Sequence, residues 1–438
     1  MPLLGTRGAA SARGFGFTAL TGIGGPYWMG LLRRGFGDDT GYAITVTSPG
    51  DIYISGSTYD GTNDNAVVAK YNNSGTIQWQ SVLSGGSSVD FRGVAVDSSG
   101  NVYAAGRDGG STAGFNVAAK YNSSGTIQWQ KTLGNMGVTQ YVTPNGPNAV
   151  AIDSSSNIYV FGNNQNGNFE VIKYNSSGTV QFQNEIGYAN ANAATIIVDS
   201  SGNIYTTGRS GVTSPFRASI IKYNSSFAVQ WQKSLLVNGS DTGGTGCAVD
   251  SSGNVYVTGT SDNGGDANIF LAKYDSSGTL QWQRRVSLST ASSVVTDSIG
   301  NVYISGYASG FSRMFLAKYN STGTIQWQRY ITTTSNFGQS NAISIAVDIS
   351  NNLYVAGRIY TGSNQDIFIA KLPNDGSKTG TYTVGGISLT YAASSQTIDT
   401  QTASDSSSTY TVSATSFTSS STSRADAAGT LTSSVTTI

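Results

Sequence analysis

Between Val94 and Gly106 the chain reads VAVDSSGNVYAAG, two short apolar runs on either side of a polar Asp-Ser-Ser-Gly. Runs of this length, rich in β-branched and aromatic residues and split by turn residues, predict a hairpin with glycine at the positive-φ position. Residues 270–283, FLAKYDSSGTLQWQ, make a second hairpin of the same kind. The pair recurs. An anchor tyrosine stands at Tyr53, Tyr103, Tyr159, Tyr205, Tyr256, Tyr303 and Tyr354, and an anchor lysine at Lys70, Lys120, Lys173, Lys222, Lys273, Lys318 and Lys371. Each copy therefore supplies four antiparallel strands, and the copies are spaced by about fifty residues, a period that marks propeller blades. The predicted fold is all-β, a seven-bladed β-propeller in which neighbouring blades cover each other's faces.

Ring closure is legible in the tryptophans. Five of the six lie in the fourth strand (Trp79, Trp129, Trp231, Trp282, Trp327), with Phe182 in the remaining internal copy. Trp28 precedes the first blade, 25 residues before Tyr53, much as Trp79 precedes Tyr103 by 24. The last copy lacks this tryptophan. Residues 26–33 are therefore expected to supply the outer strand of the last blade, with Trp28 closing the ring; the rival is that GTYTVGG (380–386) fills the slot. The domain reading is an N-terminal Gly/Ala-rich arm (1–25), the propeller (26–386) and a Ser/Thr-rich C-terminal extension (387–438), with strands there that could pair with a partner.

Composition narrows the function. The 438 residues carry 24 basic and 24 acidic side chains, which gives no reason to expect nucleic acid as a partner. No segment has the roughly 20 apolar residues needed to span a bilayer as a helix, so no membrane insertion is expected. The N-terminal stretch has no continuous apolar h-region and is read as no signal peptide. The lone Cys247 excludes an intramolecular disulfide framework and is read as a buried, inert thiol.

Acid–base chemistry has few candidates. Histidine is absent, which excludes Ser-His-Asp and Cys-His arrangements and His-ligated metals. The recurring aspartates, Asp97, Asp153, Asp199, Asp250, Asp297 and Asp348, each stand six residues before an anchor tyrosine and are expected to cap the first turn. The recurring lysine is read as structural for the same reason. The DSSGTLQW turn is similar to a sialidase Asp box, yet both spacings are one residue too long and no arginine triad is identifiable. Oxygen-rich loops at 59–65 and 261–268 match no established calcium loop. No catalytic residue, metal or cofactor is assigned, and the chain is expected not to be an enzyme.

The VDSSGNVYVTG…AKYNSSGTIQWQ unit resembles the seven-bladed β-propeller repeat of bacterial surface and phage proteins, over about residues 26–386. The opening LLGTRGAASARGFGF is similar to N-termini of virion structural proteins of tailed phages, particularly cyanophages. This resemblance implies a virion structural protein, displayed on a tail or fibre, with residues 1–25 and 387–438 docking to other virion proteins. The alternatives are a host-glycan or receptor-binding module, with a bacterial cell surface as the other location, and, with less support, a propeller lyase or glycosidase. Binding residues are expected on the loops that vary between copies, which antiparallel topology gathers at one end of the ring. The aromatics there are Tyr59, Phe115, Phe216, Tyr307, Phe311 and Tyr360.

Overall fold

The computed structural model describes residues 27–34, 37–48, 50–84, 88–108, 115–133, 150–163, 167–187, 191–211, 213–262, 267–287, 289–308, 313–333 and 340–400, together with short strands between 403 and 437. Among these residues every regular element is a strand. They form seven antiparallel sheets arranged as a propeller, one per repeat. Blades 1 to 6 occupy residues 40–84, 89–133, 150–186, 192–237, 241–286 and 289–333, and blade 7 begins with 341–372. In blade 5 the order from the innermost strand outward is Asp241–Val249, Val255–Asp262, Ala267–Tyr274 and Leu280–Val286.

The repeated residues are scaffold. Asp250 Oδ1 accepts hydrogen bonds from the Ser252 and Asn254 amides, both at 2.9 Å, while Oδ2 accepts from Asn254 Nδ2 at 2.8 Å and the Tyr256 hydroxyl at 3.1 Å. The same four-donor turn recurs at Asp97, Asp199, Asp297 and Asp348. Lys70 and Lys173 pair with Asp51 and Asp153 of their own blades, while other lysines reach sideways. Lys222 and Lys273 donate to carbonyls of the next blade, Ser276 and Ser321, each at 3.2 Å, and sit over the rings of Tyr205 and Tyr256.

The tryptophans staple neighbours together. Trp79 Nε1 donates to the Ser123 carbonyl at 3.0 Å, Trp231 to Ser276 at 3.1 Å and Trp327 to Asn374 at 2.9 Å, always into the outer turn of the following blade. The buried apolar residues accordingly fall into seven clusters, each shared by two adjacent blades. Burial between blades, not within one, supplies the core, because a single sheet cannot cover its own faces. Cys247 lies in the cluster between blades 4 and 5, where burial pushes its thiol up to about 12.

Closure follows the tryptophan reading. Trp28–Arg33 pairs with Gln365–Leu372 in blade 7, Trp28 opposite Lys371, just as Trp79 lies opposite Lys70. Trp28 is 2% exposed and its Nε1 donates to the Asn73 carbonyl of blade 1 at 3.1 Å, so the first and last blades are joined by the same staple as the others. The rival segment goes elsewhere: Gly380–Val384 pairs with Ile387–Ala393 on the outer edge of blade 6.

The junction between blades 3 and 4 is the exception, and it compensates internally. At five other junctions a Cβ placed on the outer-turn glycine would lie only 2.6 to 3.1 Å from the indole behind it, as at Gly125 against Trp79 and Gly178 against Trp129. Here the turn carries Phe227 at φ 62° and the preceding blade carries Phe182. The two rings meet at 5.0 Å, and Phe227 stacks on Tyr223 at 4.2 Å. Loss of the indole makes room for a side chain where only glycine fits elsewhere.

The Ser/Thr-rich segment pairs in cis. After Ile387–Ala393 on blade 6, Ile398–Asp399 adds to blade 5, Ala403–Ser407 to blade 4, Val412–Ala414 to blade 3, Ser419–Ser421 to blade 2 and Ala425–Ala428 to blade 1. Thr432–Thr437 then lies against Trp28–Arg33, which is thereby held between two strands of blade 7. The chain circles its own rim backwards and gives each blade a further strand, covering edges that would otherwise invite pairing with another chain.

Candidate functional site

Each second strand carries a glycine three residues after the anchor tyrosine, and backbone proximity requires it. A Cβ on Gly106 would fall 2.0 Å from the Asp90 carbonyl oxygen, and one on Gly259 2.0 Å from that of Gly243. The inner strand crowds this point because it bulges there, with register shifts between Phe91 and Gly93, Gly244 and Gly246, and Ala291 and Ser293. The residue after this glycine is different in kind: Ser57, Arg107, Asn163, Arg209, Thr260, Tyr307 and Arg358 occupy one register position in seven blades. It is a non-repeating position inside the repeat.

Four of these, from consecutive blades 4 to 7, face one cavity of about 540 Å³. Arg209, Thr260, Tyr307 and Arg358 line it with the inner-strand residues Asn192, Asp241 and Thr290. These are the ends of second strands and the starts of inner strands, so the cavity opens at the variable-loop end of the ring. Its volume is typical of small-ligand sites. Three polar atoms on its wall are buried without a protein partner: the Asn192 side-chain oxygen, Arg209 Nε and Thr260 Oγ1. Asn192 is only 8% exposed. Amide, guanidinium and hydroxyl side chains thus converge on one wall, the few polar groups that orient a ligand in a cavity of this size.

The electrostatics are uneven. The Arg209 guanidinium sits 4.4 Å from the Phe216 ring centre, and burial pulls its pKa below the usual arginine range even though Asp241 opposes the shift. Asp241 serves the loop, its Oδ1 accepting from Ser214 Oγ and the Phe216 amide, both at 2.8 Å. In blade 2 the matching Arg107 is neutralised instead. Burial alone would raise the pKa of Asp90, but Arg92 and Arg107 outweigh it and hold this carboxylate below its ordinary range; Arg107 Nε donates to it at 2.9 Å. Three arginines, Arg107, Arg209 and Arg358, thus share one register position, an arrangement the linear spacing conceals.

Of the six aromatics expected at a site, Tyr307 lines the cavity and Phe216 backs it through Arg209. Tyr59 packs against Gly37 and its amide donates to Asp39, while the Tyr360 hydroxyl donates to the Gly362 carbonyl at 2.7 Å. The Phe115 backbone opens the third strand of blade 2; its side chain and the whole of Phe311 lie outside the described residues. In the oxygen-rich loop 59–65 Asp60 accepts from the Thr62 and Asn63 amides and from Asn65, which is turn chemistry. Asn192, Arg209, Thr260 and Arg358 were not foreseen; the signal that finds them is the variable residue after each inner glycine.

The cavity and the ends of the described chain lie at opposite ends of the ring. Trp28, where the described chain starts its first strand, stands opposite Lys371 and Thr437, beside the repeated turns. No family model matches the chain, and no curated protein matches it. Solved structures do. The polysaccharide lyase Uly1 is similar at 10% identity and TM-score 0.48, with 76% of this chain and 90% of the other covered. A polysaccharide lyase described as an ulvan lyase is similar at 13% identity and TM-score 0.44, covering 78% and 96%. A protein of unknown function from Bacteroides caccae is similar at 12% identity and TM-score 0.37, covering 59% and 93%. The expectation that the chain is not an enzyme is corrected here: the solved structures similar to it include polysaccharide lyases. The chain is a seven-bladed β-propeller with structural neighbours of that fold.

Proposed function

We propose that this chain is a binding propeller that takes a polyhydroxylated, saccharide-type ligand in the cavity at the variable-loop end of its channel. One observation carries the reading: Asn192, Arg209 and Thr260, each with a buried side-chain polar atom that no protein group meets, line a single cavity. Vicinal hydroxyls are both donors and acceptors at short spacing and suit such a set, while Tyr307 is the aromatic residue of the same lining. A glycan array probed with the full chain and with Tyr307→Ala tests it. Saccharide binding that weakens in the variant supports the reading; no saccharide bound, or binding indifferent to Tyr307, overturns it.

Display on a tailed-phage particle is the finer reading of where this binding would act. It is supported by the likeness of residues 3–17 to N-termini of virion proteins and by the position of both described chain ends opposite the cavity, which suits tethering at one end and presentation at the other. A host-surface glycan is then the ligand, and other virion proteins are the partners. Co-purification of the chain with phage particles tests this, and its absence from them sinks it.

A further inference from the structure

The wall of the cavity is not a uniform hydroxyl reader, because it carries a guanidinium that no ion pair holds among the described residues. Arg209 makes no ion pair among the described residues, its Nε is buried without an acceptor, and its guanidinium lies over the Phe216 ring. A second guanidinium, Arg358, faces the same space from blade 7, three blades away around the ring. The matching Arg107 shows how this register position is neutralised when the fold requires it: an aspartate from the paired inner strand, Asp90, meets it. In blade 4 the paired inner-strand residue is Asn192, which is neutral. The carboxylates on the wall do not take Asp90's part. Asp241 accepts from Ser214 Oγ and the Phe216 amide and acts on Arg209 only through space, and Asp262 is exposed at the rim.

We propose that the ligand is an acidic saccharide whose carboxylate or sulfate is held by Arg209 and Arg358, with Asn192 and Thr260 reading adjacent hydroxyls; this rests on the saccharide reading above. A planar, delocalised guanidinium held by an aromatic ring suits bidentate recognition of such an anion. Arg209 is a positioning and specificity residue for that group, and Asn192 is the neutral neighbour that forms no ion pair with it.

The test is calorimetric titration of the full chain with matched pairs of oligosaccharides: galacturonate against galactose, sulfated against unsulfated galactose, and sialyl-lactose against lactose. The acidic member of at least one pair is expected to bind about 10-fold or more tightly than its neutral partner, with the preference shrinking as salt is raised. Arg209→Gln, with an unchanged thermal midpoint, is expected to bring the pair to equal affinity, while Arg209→Lys keeps part of the preference. Equal binding of acidic and neutral members to the wild type overturns the anion assignment and leaves the saccharide reading standing. A preference that survives in Arg209→Gln overturns the role of Arg209. Binding of no member of any pair overturns both readings.

Discussion

The Phe182–Phe227 junction lets the rules of the ring be tested by rewriting one sector. Phe227→Gly removes a side chain that is 5% exposed and stacked on Tyr223 and Phe182. Truncating a buried aromatic costs about 3–5 kcal/mol, offset by about 1–2 kcal/mol from relieving a non-glycine residue held at φ 62°. The net loss is therefore roughly 1–4 kcal/mol. Phe182→Trp alone drives an indole towards Phe227, in the space where a mere Cβ would already lie 2.6 to 3.1 Å from the indole at five other junctions. Overpacking of that kind costs about 1–3 kcal/mol. The double variant restores the combination used elsewhere, and the indole at position 182 should donate to the Ser225 carbonyl as Trp231 does to Ser276. Its stability should lie within about 1 kcal/mol of the wild type, a coupling energy of roughly 1–7 kcal/mol, above the usual range for unconnected sites. Chemical denaturation followed by circular dichroism and tryptophan fluorescence measures all four corners of the cycle. If the double variant is as unstable as the sum of the singles, the compensation argument is wrong.

Three further outcomes are expected. Trp28→Ala removes a staple buried between the first and last blades and should cost about 3–5 kcal/mol, with hydrogen exchange rising first along Trp28–Arg33 and Gln365–Leu372; exchange rising elsewhere first would contradict the seam. Removing residues 400–438 uncovers the outer strands of blades 1 to 4 and one side of Trp28–Arg33, so light scattering should detect concentration-dependent self-association; a strictly monomeric product would show that the rim strands are not protecting edges. Asp39 is fully buried, and burial, against hydrogen bonds from the Arg34 and Tyr59 amides, raises its pKa from 3.8 to about 7. Its folded pKa exceeds the unfolded one, so its contribution to stability is complete below about pH 4 and is lost as pH rises towards 7. Asp39→Asn should flatten that segment of the stability–pH curve, and an unaltered curve would refute the assignment.

The ring was legible because its signals are local and repeated. Asp, Tyr, Gly and Trp recur at fixed offsets, each doing a job visible within one hairpin or one junction, and the displaced Trp28 could be matched to the missing copy by spacing alone. The rim strands were not assigned to the chain's own blades for the opposite reason. Residues 398–437 pair through the backbone at six to nine residues per blade, and a Ser/Thr-rich sequence has no apolar period to announce it. The cavity was hidden by distance. Arg209, Thr260, Tyr307 and Arg358 stand about fifty residues apart in sequence and converge only when the ring closes. Attention to aromatics on variable loops found Tyr307 and Phe216, whereas variation one residue past the inner glycine would have found the rest.

The central claim is that a saccharide occupies the space framed by blades 4 to 7. Hydrogen–deuterium exchange of the full chain, with and without the glycan that binds most strongly on an array, tests it directly. Protection confined to peptides containing Asn192, Arg209, Asp241–Thr245, Thr260, Tyr307 and Arg358 is the expected result. Protection centred on the repeated turns at the other end of the ring, or none at any binding glycan concentration, would contradict it.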